Sequence, residues 1–199
     1  MRNILFQNNR YYHIYNRGVD KRYIYSNRYD YLRFIRNMRV FNTIVPKDTE
    51  CPAGHSVSDR LVDIICYSLL PNHFHLMIKQ VRNNGISVYM QKLMMGYTKY
   101  YNKKNNRTGA LFQGPFKAVK IVTDEQMLHV SGYIHGNSEI HNISKANEWV
   151  WSSYLDYINK RDGTLCNNSV ILNEFDSVAH YNRYVAKVIF DARDIKKSK

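Results

Sequence analysis

An α+β fold is what this 199-residue chain predicts, and three observations predict it. Short apolar runs and segments of helical period alternate in the order strand, helix, strand, strand, helix, strand. The two middle strands, 62–70 and about 73–80, are joined by a Leu70-Pro71-Asn72 turn too short for a crossover, so they must run antiparallel. A further helix and an amphipathic tail follow the sixth element.

The first strand is Tyr-Tyr-His-Ile-Tyr-Asn-Arg at 11–17, closed by Gly18, and Arg17, Lys21 and Arg22 make a basic turn after it. Asn27 or Ser26 is placed to cap a helix over about 28–43, where Tyr31, Phe34, Ile35, Met38 and Phe41 recur at helical spacing. Residues 44–60 carry Pro46, Pro52 and Gly54 and read as a mobile loop insertion. The 62–70 and 73–80 runs read as buried strands, and Asn84-Gly85 ends the second. A helix over about 86–104 turns Val88, Met90, Leu93, Met94 and Tyr97 inward and Lys92, Lys99, Lys103 and Lys104 outward. After a loop at 105–115, residues 116–122 form the last strand. Thr123 or Asp124 caps a helix over about 124–137. The order is that of a ferredoxin-like β-α-β-β-α-β antiparallel sheet with its helices on one face. Residues 1–145 are read as one domain built on this sheet. Residues 146–199 are read as a helical C-terminal extension packing on it, with Trp149, Trp151, Tyr154 and Tyr157 turned toward the domain, a helix over about 174–190 and a basic, frayed end.

A net charge of +13 and a pI near 9.6 favour a polyanionic partner, nucleic acid or an anionic membrane surface. No apolar run reaches the roughly 20 residues that span a bilayer. The first ten residues lack the apolar segment of a signal peptide. Three cysteines without C-x-x-C spacing suit a reducing cytoplasm. Cys51 and His55 make only half a zinc site, so a plain loop is the better reading. Seventeen tyrosines among many lysines and arginines suit stacking on unpaired bases.

Two constellations carry chemistry. His73 and His75 open the second middle strand and, two residues apart, point to one face. Neutral imidazole is the commonest metal ligand in proteins, and the apolar strands on either side put the pair where a sheet meets a cleft. The pair is therefore read as a metal site. The second constellation is His129, Tyr133 and Asn137, one turn apart beside the apolar stripe of Met127, Val130 and Ile134. Gly132 and Gly136 in the same helix allow a close backbone approach or leave it mobile. Pattern alone favours an ordinary surface helix here.

With both constellations stated, the chain resembles the single-tyrosine HUH transposases, the insertion-sequence single-strand transposases and their REP-associated relatives. The likeness spans about residues 10–190. It rests on Leu69-Leu-Pro-Asn-His-Phe-His-Leu-Met77, on the Tyr12–Gly18 strand with its Asn-Arg-Gly ending, on Thr108–Lys117, on Tyr133-Ile-His-Gly-Asn137 and on Trp149–Tyr154. The resemblance implies that Tyr133 is the nucleophile, that His73, His75 and Asn137 hold Mg²⁺ or Mn²⁺, and that the substrate is single-stranded DNA with hairpin structure. Ser138 and Gly136 depart from the proline and the apolar residue common after this tyrosine in the family. His129 is placed as a structural or phosphate-contacting residue, with proton acceptance from Tyr133 as its other role. Tyr97, Tyr100 and Tyr101 are the rival nucleophiles, ranked lower because their neighbours fit packing. Arg17, Lys21, Arg22, Lys99, Lys103, Lys104, Arg107 and Lys117 are the candidate phosphate contacts. Relatives work as dimers with exchanged tyrosines or as tailed monomers, and a homodimer is favoured.

Two rival functions remain. A relaxase or rolling-circle initiator often has a third histidine in the motif, where this chain has Leu76. A ferredoxin-like RNA- or DNA-binding module without chemistry would need a Gly-Phe-x-Phe-like aromatic run, and none is present.

Overall fold

A computed structural model describes residues 4–44 and 59–198. Most of the loop expected over 44–60, including Cys51 and His55, therefore lies outside the described residues. The strands are β1 Tyr11–Arg17, β2 Val62–Leu70, β3 His73–Gln80 and β4 Lys117–Ile121. The main helices are α1 Arg28–Val40, α2 Gly85–Lys104 and α3 Asp124–Ile140, followed by the short α4 Tyr154–Tyr157 and α5 Ser169–Leu172 and the long α6 Val178–Lys197. The sheet order is β2-β3-β1-β4, with every neighbouring pair antiparallel. This is the ferredoxin-like order that the sequence predicts.

Local chemistry sets the helix starts. Asn27 accepts from the Tyr29 and Asp30 amides while Asp30 accepts back from the Asn27 amide, a reciprocal capping box. Thr123 accepts from the Gln126 amide at the head of α3, and Ser177 accepts from His180 at the head of α6.

Two cores form because both faces of the sheet are apolar at its centre. On one face Tyr12, Ile14, Phe74, Leu76 and Ile78 meet Phe34 and Met38 of α1 and Tyr89, Leu93 and Tyr97 of α2. On the other, Cys66, Met77 and Ile121 meet Met127 and Ile134 of α3, with Tyr154, Tyr157, Tyr181 and Val185 beyond them. A bulge between Ile64 and Cys66 resets the alternation of β2. Val62 and Ile64 before it, and Tyr67 and Leu69 after it, share one core, while Ile65 and Cys66 join the other. The outer edge of β2 is covered by residues 149–153. The Leu69 amide donates to the Trp151 carbonyl, and the Ser153 amide donates to the Tyr67 carbonyl.

The last helix differs from expectation. It runs through Lys197 instead of fraying after 190. Arg193 donates to the Glu139 carbonyl at 2.6 Å and Lys196 to the Ile140 carbonyl at 3.2 Å. These cations neutralise the open carbonyls at the end of α3, and the basic sequence is used there instead of being solvated. Among the described residues no helix is long and apolar enough to cross a membrane.

Candidate active site

The register of β1 on β3 builds the site. Tyr15 lies opposite His75, and Arg17 lies opposite His73. Side chains alternate along a strand, so His13, Tyr15 and Arg17 share the face of His73 and His75, and Phe74 drops into the opposite core. Helix α3 crosses this face. Tyr133 stands edge-on to His75, with ring centroids 5.8 Å apart, and edge-on to His13 at 6.3 Å. One turn on, Asn137 is fully buried, and its Oδ1 is 3.3 Å from His73 Nε2.

A cavity of about 350 Å³ opens over the histidines. Arg17, Lys21 and Lys117 line it with Tyr15, Gln113 and His141, and among the described residues no carboxylate does. The field there favours an anion. Arg17 is steadied by Gln113, to which its Nε donates. Lys21 sits in a left-handed turn with Asp20, at φ 58° and 55°. That costly conformation for non-glycine residues presents the Lys21 carbonyl to Asn72 Nδ2, 3.2 Å away.

This contact fixes the tautomer of His73. With Asn72 Nδ2 donating to Lys21, Asn72 Oδ1 faces His73 Nδ1 at 2.6 Å and accepts its proton. A neutral imidazole has one proton, so His73 Nε2 is bare. Burial keeps the ring neutral, pulling its pKa down to about 4, helped by nearby His141. Burial also lowers His75 well below the ordinary histidine value, with His13 and His73 adding to it. Burial takes His13 to about 4. These imidazoles offer lone pairs at neutral pH.

The bare Nε2 faces the Asn137 amide, whose Nδ2 is buried without a hydrogen-bond partner. An amide suits two states here. Turned one way, it donates to Nε2; turned the other, its oxygen and Nε2 converge on one point as two acceptors. That second state is a cradle for a cation. Two imidazoles and one amide are the donors here that could hold a divalent ion, although among the described residues no three of His, Cys, Asp or Glu are grouped closely enough to bind one.

The rival tyrosines lie across the sheet and are otherwise engaged. Tyr97 donates to the Ile24 carbonyl, Tyr100 to Asp30 and Tyr101 to the Tyr23 carbonyl. The Tyr133 hydroxyl makes no hydrogen bond among the described residues, and Tyr133 is only half-buried. His129 is exposed, a turn away on the helix surface.

The family described as "Transposase IS200 like" matches residues 32–137, more than half of the chain. This chain belongs to the IS200-like transposase family. The transposase also shares its fold with a solved structure titled as a REP-associated tyrosine transposase bound to a REP hairpin. That likeness has a TM-score of 0.55 at 14% identity, over 80% of this chain and 86% of the other. No curated protein sequence matches it.

The eight basic residues named from the sequence separate into groups. Arg17, Lys21 and Lys117 line the cavity. Arg22 is not among the lining residues and lies 3.7 Å from Asp20. Lys99, Lys103 and Lys104 line a different cavity, of about 530 Å³, with Arg33 and Tyr100 on the α1/α2 side. Lys104 is also paired with buried Asp30 at 2.6 Å. Arg107 holds its own loop together through Asn102 and the Ala110 carbonyl. Sequence reasoning missed His13, Tyr15, Gln113 and His141. His141 lies one turn beyond Asn137 with its ring 5.2 Å from His73, and continuing the four-residue spacing of Tyr133 and Asn137 would have found it.

Proposed function

We propose that this transposase cleaves and rejoins single-stranded DNA through Tyr133, at sites marked by hairpins. The observation that carries the reading is the placement of Tyr133, whose hydroxyl makes no hydrogen bond among the described residues, edge-on to His75, one of the two motif histidines that line a cavity with three cations and, among the described residues, no carboxylate. The hairpin comes from the similarity to the REP-associated protein, which was solved with one.

In the proposed reaction the Tyr133 hydroxyl oxygen bonds to a phosphorus of the strand while the bond from phosphorus to the 3′ oxygen breaks. The phenolic proton is lost, the departing 3′ oxygen takes up a proton, and a 5′-phosphotyrosine remains. Attack by another 3′-hydroxyl reverses the exchange and rejoins DNA without ATP. Arg17, Lys21 and Lys117 hold the phosphate and offset its charge. Tyr15 presents a ring to the same cavity, on which a base can stack. His73, His75 and Asn137 would hold Mg²⁺ or Mn²⁺, which polarises the phosphate when bound. Imidazole nitrogen favours Mn²⁺ over Mg²⁺ as the tighter binder. We place Tyr133 with the histidines of its own chain, so a homodimer, where one forms, need not exchange this helix. A reducing cytoplasm is the compartment that we propose.

The test is covalent capture. With Mn²⁺ and hairpin-bearing single strands, the protein should form a DNA adduct that survives denaturation. Tyr133→Phe should lower the yield by at least about 1000-fold while strand binding persists. An adduct undiminished by the substitution would move the nucleophile elsewhere.

A further inference from the structure

His13 is half-buried beside His75, and its Nε2 lies 2.8 Å from His75 Nδ1. The two residues are diagonal neighbours on one face of the β1–β3 pair, since Tyr15 lies opposite His75 and His13 lies opposite Met77. The Tyr15 ring stacks against His75 with centroids 5.6 Å apart and lies tilted against His13 at 5.1 Å. Tyr133 closes the other side. His75 is thus fixed by two rings and one hydrogen bond.

That bond shares a single proton between two nitrogens. If His13 held it, neutral His75 would have to carry its own proton on Nε2, and that nitrogen could not bind a cation. If His75 holds it on Nδ1, Nε2 is bare. Asn72 imposes the second arrangement on His73.

We infer that His13 is a positioning residue: its Nε2 accepts the Nδ1 proton of His75 and so leaves His75 Nε2 free for a divalent cation. The inference rests on the proposed metal reading of His73 and His75. Second partners of this kind orient metal-binding histidines in general. His13 is not among the residues that line the cavity, so replacing it removes no direct phosphate contact.

Side-chain length gives the test. The amide of glutamine reaches the place of imidazole Nε2, whereas the amide of asparagine ends at the level of Nδ1. The full-length chain is titrated with Mn²⁺, and the free ion is followed by electron paramagnetic resonance, with His73→Ala as the blank. His13→Leu and His13→Asn should bind Mn²⁺ about tenfold or more weaker than the wild type, and His13→Gln within about threefold of it. Affinity for a single strand without metal should be unchanged in all three. Wild-type affinity retained in His13→Leu, or His13→Gln binding no better than His13→Asn, overturns the role of His13. Wild-type binding no tighter than that of His73→Ala overturns the metal reading itself, and the inference falls with it. A merely structural role predicts loss that follows the stability of each variant, read from thermal melts of the same samples, not the Gln-over-Asn order.

Discussion

His135 shows what a buried imidazole imposes on stability. It is fully buried, hydrogen-bonded through Nδ1 to the Tyr181 hydroxyl at 2.7 Å and through Nε2 to Ser153 Oγ at 2.8 Å. Burial pulls its pKa to about 3. Below about pH 6.5 the unfolded chain takes up a proton that the folded chain refuses, so stability is full above that pH and falls as pH drops toward 3. The slope is about 1.4 kcal/mol per pH unit for each such imidazole. His13 and His73, lowered to about 4, add to it. Urea denaturation at pH 7 and pH 5 should therefore show a steep loss, shallower in His135→Gln by about one proton's slope; equal slopes would mean that His135 is not held neutral. At this scale the sequence shows only what lies close in the chain. His73 and His75 are legible because their spacing alone gives them one face. His13 is not, because its partner is 62 residues away and is found only once β1 is known to pair with β3 in this register.

Helix α3 is the element on which the site turns, and its glycines read ambiguously in the sequence as close approach or mobility. Packing resolves this in favour of close approach. A Cβ added at Gly136 would lie 2.5 Å from Ile189 Cγ1, and one at Gly132 3.0 Å from Val188 Cγ2. Arg193 and Lys196 hold the other end of the same contact through carbonyls at the end of α3. Helix propensity alone predicts that Gly136→Ala stabilises by about 1 kcal/mol. Overpacking acts against this with about 1–3 kcal/mol, so we expect a net loss. Adding Ile189→Ala should recover part of it, and a non-additive double-mutant cycle in urea would show the coupling. If Gly136→Ala stabilises the chain, the two helices are not held this closely. The strands, the ferredoxin-like order and the existence of α6 were legible from apolar period. The end of α6 was not, because residues 191–197 are mostly charged, and only the contacts of Arg193 and Lys196 with α3 explain why the segment stays helical.

Across the whole molecule, the charge of +13 favours a polyanionic partner but does not say where it would lie. Folding divides the cations by the sheet. Arg17, Lys21 and Lys117 surround the histidines, while Arg33, Lys99 and Lys103 lie on the α1/α2 side, separated from them by a full layer of core. On the proposed reading, a short strand held at Tyr133 meets the first group and not the second. Replacing Arg17 and Lys117 together with alanine should weaken binding of such a strand. It should also lower the slope of log affinity against log salt by about 1.4, from about 0.7 for each lost contact to a single strand. Lys99→Ala with Lys103→Ala should leave both quantities unchanged for that strand, and adduct formation at Tyr133 should follow the same division. Equal losses from the two pairs would show that the strand crosses from one face to the other, and the cavity over the histidines would then be only part of the binding path.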